Sequence, residues 1–117
     1  MTLNEIKDIL QAEVLTCNCD MNVTVDRGCS SDLMSDVLAF STTGSLLITG
    51  LVNDAVIRTA EIATIKAIVF VRGKKPKKET IAFAKEKKIP LLATNLTMFE
   101  ASGRLYEKGL RGYSETE

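Results

Sequence analysis

The stretch Leu46-Leu47-Ile48-Thr49-Gly50 decides how this chain is read, because its pattern returns twice. Ile68-Val69-Phe70-Val71 runs into Arg72-Gly73-Lys74, and Leu91-Leu92-Ala93 runs into Thr94-Asn95. Each is a short apolar run closed by a polar or glycine-bearing tip and followed by a helical pattern. Unbroken apolar runs mark strands that are buried on both faces, as in parallel sheets. The runs begin at Leu46, Ile68 and Leu91, so their onsets are 22 and 23 residues apart, close to the length of a strand–helix–strand crossover. Parallel strands gather their carboxyl ends on one rim, where open α/β sheets usually bind ligands. We therefore expect an α/β fold: three-layer α/β/α around a mostly parallel sheet of about five strands. One domain covers residues 1–117, with a polar, frayed tail at 113–117.

The flanks are consistent with that reading. Thr2-Leu3-Asn4-Glu5 is a capping box that opens a helix with Leu3, Ile6, Ile9 and Leu10 on one face. Glu13 to Cys17 and Asn22 to Val25 read as short strands, and Arg27-Gly28 as a turn. Ser30-Ser31-Asp32 supplies N-cap chemistry for a helix from Leu33 to Phe40, with Leu33, Met34, Val37 and Leu38 as its buried stripe. Asn53-Asp54 caps a helix that turns Val56, Ala60 and Ala63 inward. Pro76 sits in the first turn of a helix over 77–88 with Ile81 and Ala84 inward. Pro90 places the third run at a sheet edge or at a strand entry. Thr97-Met98-Phe99-Glu100 is a second capping box, and Gly109 ends the last helix after Lys108.

Composition excludes several functions. Lys+Arg and Asp+Glu are equal at 15 each, so no bulk attraction to nucleic acid or anionic membrane is expected. The charge is unevenly spread. Residues 1–60 carry 8 acidic and 3 basic side chains and residues 61–117 carry 7 acidic and 12 basic, net −5 against +5. Such a dipolar chain can pair with a copy of itself, although charges that simply sit on solvated faces explain the same pattern. The absence of histidine removes the commonest general base and metal ligand. With three cysteines, no basic-apolar leader and no run near the ~20 residues of a membrane span, the expectation is a reduced, cytoplasmic protein.

The rim collects the candidate ligand-binding residues: Thr49, Gly50, Asn53, Asp54, Arg58, Arg72, Gly73, Lys74, Thr94, Asn95 and Thr97. Helix N-termini start there with free N–H groups that favour anions. Arg72 and Lys74 add charge for a phosphate or carboxylate. The same glycines, threonines and asparagines also suit ordinary strand-to-helix turns. Neither GxxxxGK[ST] nor GxGxxG occurs, so ATP hydrolysis and dinucleotide redox chemistry are not indicated. Cys17, Cys19 and Cys29 make too short a ligand set for a metal, and no metal or cofactor is expected. The 8 basic residues from Arg72 to Lys88 are interleaved with one aromatic, Phe83, and diluted by Glu79 and Glu86. A solvated helix face explains them better than RNA. Glu100 belongs to its capping box, and Ser35 and Asp36 lack a neighbouring base. No catalytic residue is indicated.

Ser31-Asp32-Leu33-Met34-Ser35-Asp36-Val37-Leu38-Ala39, Leu47-Ile48-Thr49-Gly50-Leu51-Val52-Asn53 and Val69-Phe70-Val71-Arg72-Gly73-Lys74, with Thr97-Met98-Phe99-Glu100-Ala101 and Gly109-Leu110, resemble the stand-alone DRTGG domain proteins of anaerobic bacteria. The resemblance spans nearly the whole chain. It implies a three-layer fold similar to the amino-terminal domain of HPr kinase/phosphorylase and, more distantly, to that of the Mur ligases. It also implies a regulatory or dimerisation role without chemistry of its own. The sequence departs from the family's name: Asn53-Asp54 and Arg58-Thr59 stand where Asp-Arg-Thr would lie, and Arg72-Gly73-Lys74-Lys75-Pro76 replaces the glycine pair. The function expected is a non-catalytic regulatory or interaction module that is homodimeric and works through protein contacts. The alternative is a sensor of a nucleotide or phosphorylated metabolite at the rim.

Overall fold

Ten elements follow one another among the described residues, 1–16 and 19–114, of this computed structural model. They are α1 (Leu3–Leu10), β1 (Glu13–Val14), β2 (Gly28–Ser30), α2 (Met34–Phe40), β3 (Leu46–Thr49), α3 (Asp54–Ile62), β4 (Ala67–Phe70), α4 (Lys78–Glu86), β5 (Leu91–Ala93) and α5 (Met98–Glu107). The three apolar runs are β3, β4 and β5, which pair in parallel with Leu46 opposite Ala67 and Ile68 opposite Leu91. The sheet order is β1-β5-β4-β3-β2, with β1 antiparallel to β5 and every other pair parallel.

Successive strand residues point to opposite faces, and both faces here are apolar. Leu46, Ile48, Ala67, Val69 and Leu92 pack on Leu3, Ile6 and Leu10 of α1 and on Ala101 and Leu105 of α5. Leu47, Ile68, Phe70 and Leu91 pack on Val37 of α2, on Val56, Ile57 and Ala60 of α3, and on Ala84 of α4. The sheet is thus covered twice, which is why its central strands show no polar alternation.

Both capping boxes form. The Thr2 and Thr97 hydroxyls accept the N–H groups of Glu5 and Glu100, whose carboxylates accept the cap N–H groups in return. Pro90 stands at a strand entry, where its carbonyl accepts the Ile68 N–H at 3.0 Å.

Several expectations are corrected. Asn22 to Val25 is not a strand, because its backbone folds onto α1: Val23 and Met21 carbonyls accept the Leu3 and Asn4 N–H groups. The edge strand is instead Gly28–Ser30, where a turn was expected, and it pairs with Leu46–Ile48. β1 is only Glu13–Val14, and Cys17 lies outside the described residues. Helix α4 starts at Lys78 with Lys77 as N-cap, so Pro76 precedes the helix rather than sitting in its first turn. The N-cap of α2 is Leu33, with no side-chain capping bond. Of the expected α2 stripe Val37 is buried, whereas Leu33 is 58% and Leu38 49% exposed. The helix lies at the sheet margin over β2 and α3, and only one of its flanks meets a neighbour. Of the tail, Tyr113 packs edge-on against Phe40 with ring centroids 6.1 Å apart; residues 115–117 are outside the described residues.

Candidate functional site

The parallel register brings four strand tips into one line. Ser30 is opposite Ile48, Thr49 opposite Phe70, and Phe70 opposite Ala93. The residues just beyond are Asp32, Gly50, Arg72 and Thr94.

Asp32 is the centre of this rim. Leu33 N–H is capped by the Ser31 hydroxyl at 3.0 Å, so the carboxylate of Asp32 turns to β3 instead. Its Oδ1 accepts the Gly50 N–H at 2.6 Å and the Thr49 hydroxyl at 3.0 Å. The Arg72 guanidinium stands 3.8 Å from Oδ2. The Gly50 N–H holds the carboxyl below its usual range against the opposing effect of burial, with help from the Thr49 hydroxyl and the charges of Arg72 and Lys74. Gly50 cannot be larger without moving Arg72, since a Cβ there would collide with the guanidinium.

Arg72 and Gly73 are both left-handed, with φ of 61° and 69°. This doubles the backbone over β5, so that the Arg72 and Gly73 N–H groups donate to Leu96 and Thr94 carbonyls at 2.8 and 2.9 Å. Glycine takes this conformation freely; arginine occupies it at a cost. Asn95 stands against the turn, its Oδ1 3.0 Å from where a Gly73 Cβ would lie.

The other expected site residues are already engaged. Thr94 is buried, and its hydroxyl donates to the Leu10 carbonyl at 2.7 Å. Asn53 caps α3 by accepting the Val56 N–H. Asp54 accepts the Thr80 hydroxyl at 2.6 Å, tying α3 to α4. The Arg58 guanidinium lies 5.6 Å over the Phe83 ring, which draws it onto α4. Thr97 caps α5. The structure therefore joins Thr49, Gly50, Arg72 and Lys74 around one carboxylate, with Gly73, Thr94 and Asn95 beside them. Asn53, Asp54, Arg58 and Thr97 serve their own helices. Asp32 was missed because it follows two serines before a helix and so reads as a cap. Had Gly28–Ser30 been read as a strand, Asp32 would have fallen on the rim.

Topology bears on what this rim can hold. Ligand crevices in open α/β sheets form where the strand order reverses. Here β2, β3, β4 and β5 are laid down in one direction, so no such crevice opens among them.

The two described thiols are each accounted for by their surroundings. Cys29 is pushed up by burial and by the charge of Asp36, which disfavours the reactive thiolate. Cys19 donates to the Thr16 carbonyl at 3.4 Å. Among the described residues no three Cys, Asp or Glu side chains stand together as a metal set. No described helix is long and apolar enough to cross a membrane.

Residues 5–107 match the family model of the DRTGG domain. The chain belongs to the DRTGG domain family. No curated protein matches its sequence. Among solved structures, the DRTGG chain is similar to the CBS and DRTGG domains of the regulatory region of Clostridium perfringens pyrophosphatase, determined in complex with its activator, diadenosine tetraphosphate. The identity is 22% and the TM-score 0.77, over 99% of this chain and 50% of that one. The chain thus spans half of the region with which it was compared, and at this identity the likeness is one of fold.

Proposed function

We propose that this DRTGG chain is a non-catalytic, cytoplasmic regulatory module that works by protein contact and forms a homodimer. The observation that carries this reading is the outer flank of α2. Leu33, Leu38 and Phe40 are 58%, 49% and 56% exposed on either side of the buried Val37, and Tyr113 extends the patch across Phe40. Leu33 and Phe40 share one side of α2 and Leu38 lies on the other side of Val37; exposed apolar side chains such as Leu33, Phe40 and Tyr113 on a small chain suit a contact site. The opposed charge halves suit pairing of two copies about a two-fold axis. The family and the regulatory setting of the pyrophosphatase neighbour support the same role.

Light scattering on a gel-filtration column tests it. The expected mass is twice 12.8 kDa, falling to the single value in Phe40→Glu with unchanged helix content. A strict monomer at tens of micromolar counts against the dimer.

A second reading is favoured by the nucleotide activator of the neighbour: a sensor of a nucleotide or phosphorylated metabolite at the rim residues Thr49, Gly50, Arg72, Gly73, Lys74, Thr94 and Asn95, with Asn53, Asp54, Arg58 and Thr97 at the adjoining helix starts. An anion at Gly50 would have to displace Asp32. Asp32→Asn should then tighten binding of phosphorylated ligands in a thermal-shift screen, while Arg72→Ala with Lys74→Ala should abolish the shift. A ligand at 100 times its dissociation constant raises stability by about 2.7 kcal/mol, well within what the screen detects.

A further inference from the structure

At the rim an internal carboxylate pairs with the nearby cation, whereas at the opposite end of the sheet lysines predominate. There, where β4 and β5 begin, a cavity of about 480 Å³ opens among Thr16, Cys19, Asp20, Val23, Lys66, Lys85, Lys88, Ile89 and Pro90. That volume lies within the ~300–1,000 Å³ typical of small-molecule sites. Val23, Ile89 and Pro90 make it apolar, and Ile89 and Pro90 are buried. Three lysines reach it from different elements: Lys66 from the α3–β4 turn, Lys85 from α4 and Lys88 from the α4–β5 turn. Asp20 is the one carboxylate among the described lining residues, and its Oδ1 accepts the Asn22 N–H at 2.9 Å. Among the described residues no carboxylate stands within ion-pair distance of Lys66 or Lys88, whereas the neighbouring Lys87 is held by Glu61 at 3.2 Å. Lys88 also occupies a left-handed conformation, φ 60°, which glycine would take without cost. A second cavity of about 280 Å³ shares Lys66, Lys88 and Ile89 with the first, so these two lysines line both hollows.

We propose that this end of the sheet binds a phosphorylated small molecule with an apolar or aromatic body, the phosphate held by Lys66 and Lys88 and the body seated on Val23, Ile89 and Pro90. Lysine suits this role as a mobile point charge on a flexible stem. The site is distinct from the rim, and its occupation would draw together the α3–β4 and α4–β5 turns beside the segment after β1.

Titration of the full ¹⁵N-labelled chain with pyrophosphate and with adenosine monophosphate, each to about 10 mM, reads the site directly. The expected result is amide shifts at Thr16, Lys66, Lys88 and Ile89, larger for the nucleotide than for pyrophosphate. Shifts confined to Gly50 and Arg72–Lys74 would overturn this site while leaving the rim sensor standing. No shift anywhere would refute both. Adenosine binding as tightly as its monophosphate would refute the phosphate contact. Lys66→Ala with Lys88→Gly should weaken the nucleotide at least about tenfold, two charge-assisted contacts being lost. The glycine relieves the backbone, so the fold should survive; an affinity within about twofold of the parent overturns the proposal.

Discussion

Replacing Asp32 with alanine isolates the contact that closes the rim. The change removes the acceptor of two hydrogen bonds, from the Gly50 N–H at 2.6 Å and the Thr49 hydroxyl at 3.0 Å. A bond to a charged group contributes about 1.5–3 kcal/mol. The Asp32 side chain is 45% exposed, so water can replace part of what is lost, and about 1–2 kcal/mol is the reasonable total. Arg72 adds little, since an exposed pair at 3.8 Å is worth less than about 1 kcal/mol. With a urea m-value of about 1–1.5 kcal/mol/M, the midpoint at pH 7 should fall by about 1 M. The pH dependence supplies a second signature. The folded carboxyl titrates below its ordinary value of 3.8, so the native state binds its proton less readily than the unfolded chain. The stabilisation is therefore complete above about pH 4 and is lost as pH falls through the folded value. The gap between parent and Asp32→Ala should close over that same range. A midpoint unchanged at pH 7, or a gap that does not narrow as pH falls below 3.8, would refute the assignment of Asp32 as the rim's internal anion.

Three further outcomes follow from the packing. Thr2→Ala and Thr97→Ala each break a capping box and should cost about 1 kcal/mol, seen as a loss of about 4 °C in thermal unfolding. Phe70→Ala empties the middle of the face covered by α3 and α4, where the ring is fully buried. A loss of about 3–5 kcal/mol is expected by urea titration, enough to unfold much of a marginally stable chain, while Phe70→Leu should remain folded. Gly28→Ala places a Cβ 2.8 Å from Leu110, which is buried. Either Leu110 or the edge strand must shift, at about 1–2 kcal/mol, and circular dichroism melts should register it.

The parts of the fold that were legible are those whose cause is local. Leu46–Ile48, Ile68–Val71 and Leu91–Ala93 read as buried strands because no polar residue interrupts them, and Thr2-Leu3-Asn4-Glu5 and Thr97-Met98-Phe99-Glu100 read as helix starts because the capping bonds close within three residues. Gly28-Cys29-Ser30 did not read as a strand. Its glycine and serine have poor strand preference, and it is extended only because Leu46–Ile48 lies alongside it. Leu33 and Leu38 looked like core because the sequence states their spacing but not which side of α2 meets a neighbour.

The sequence by itself determined the layered α/β architecture, the caps of α1, α3 and α5 and the line of polar tips, since each follows from side-chain periodicity or a bond within a few residues. Only the tertiary structure decided what those tips do. Asp32 and Gly50 are 18 residues apart and meet only through the β2–β3 register. That meeting turns an apparently open anion rim into one already filled. The same folding brings Lys66, Lys85 and Lys88 around a hollow at the far end, because residues that precede parallel strands share an edge just as those that follow them do.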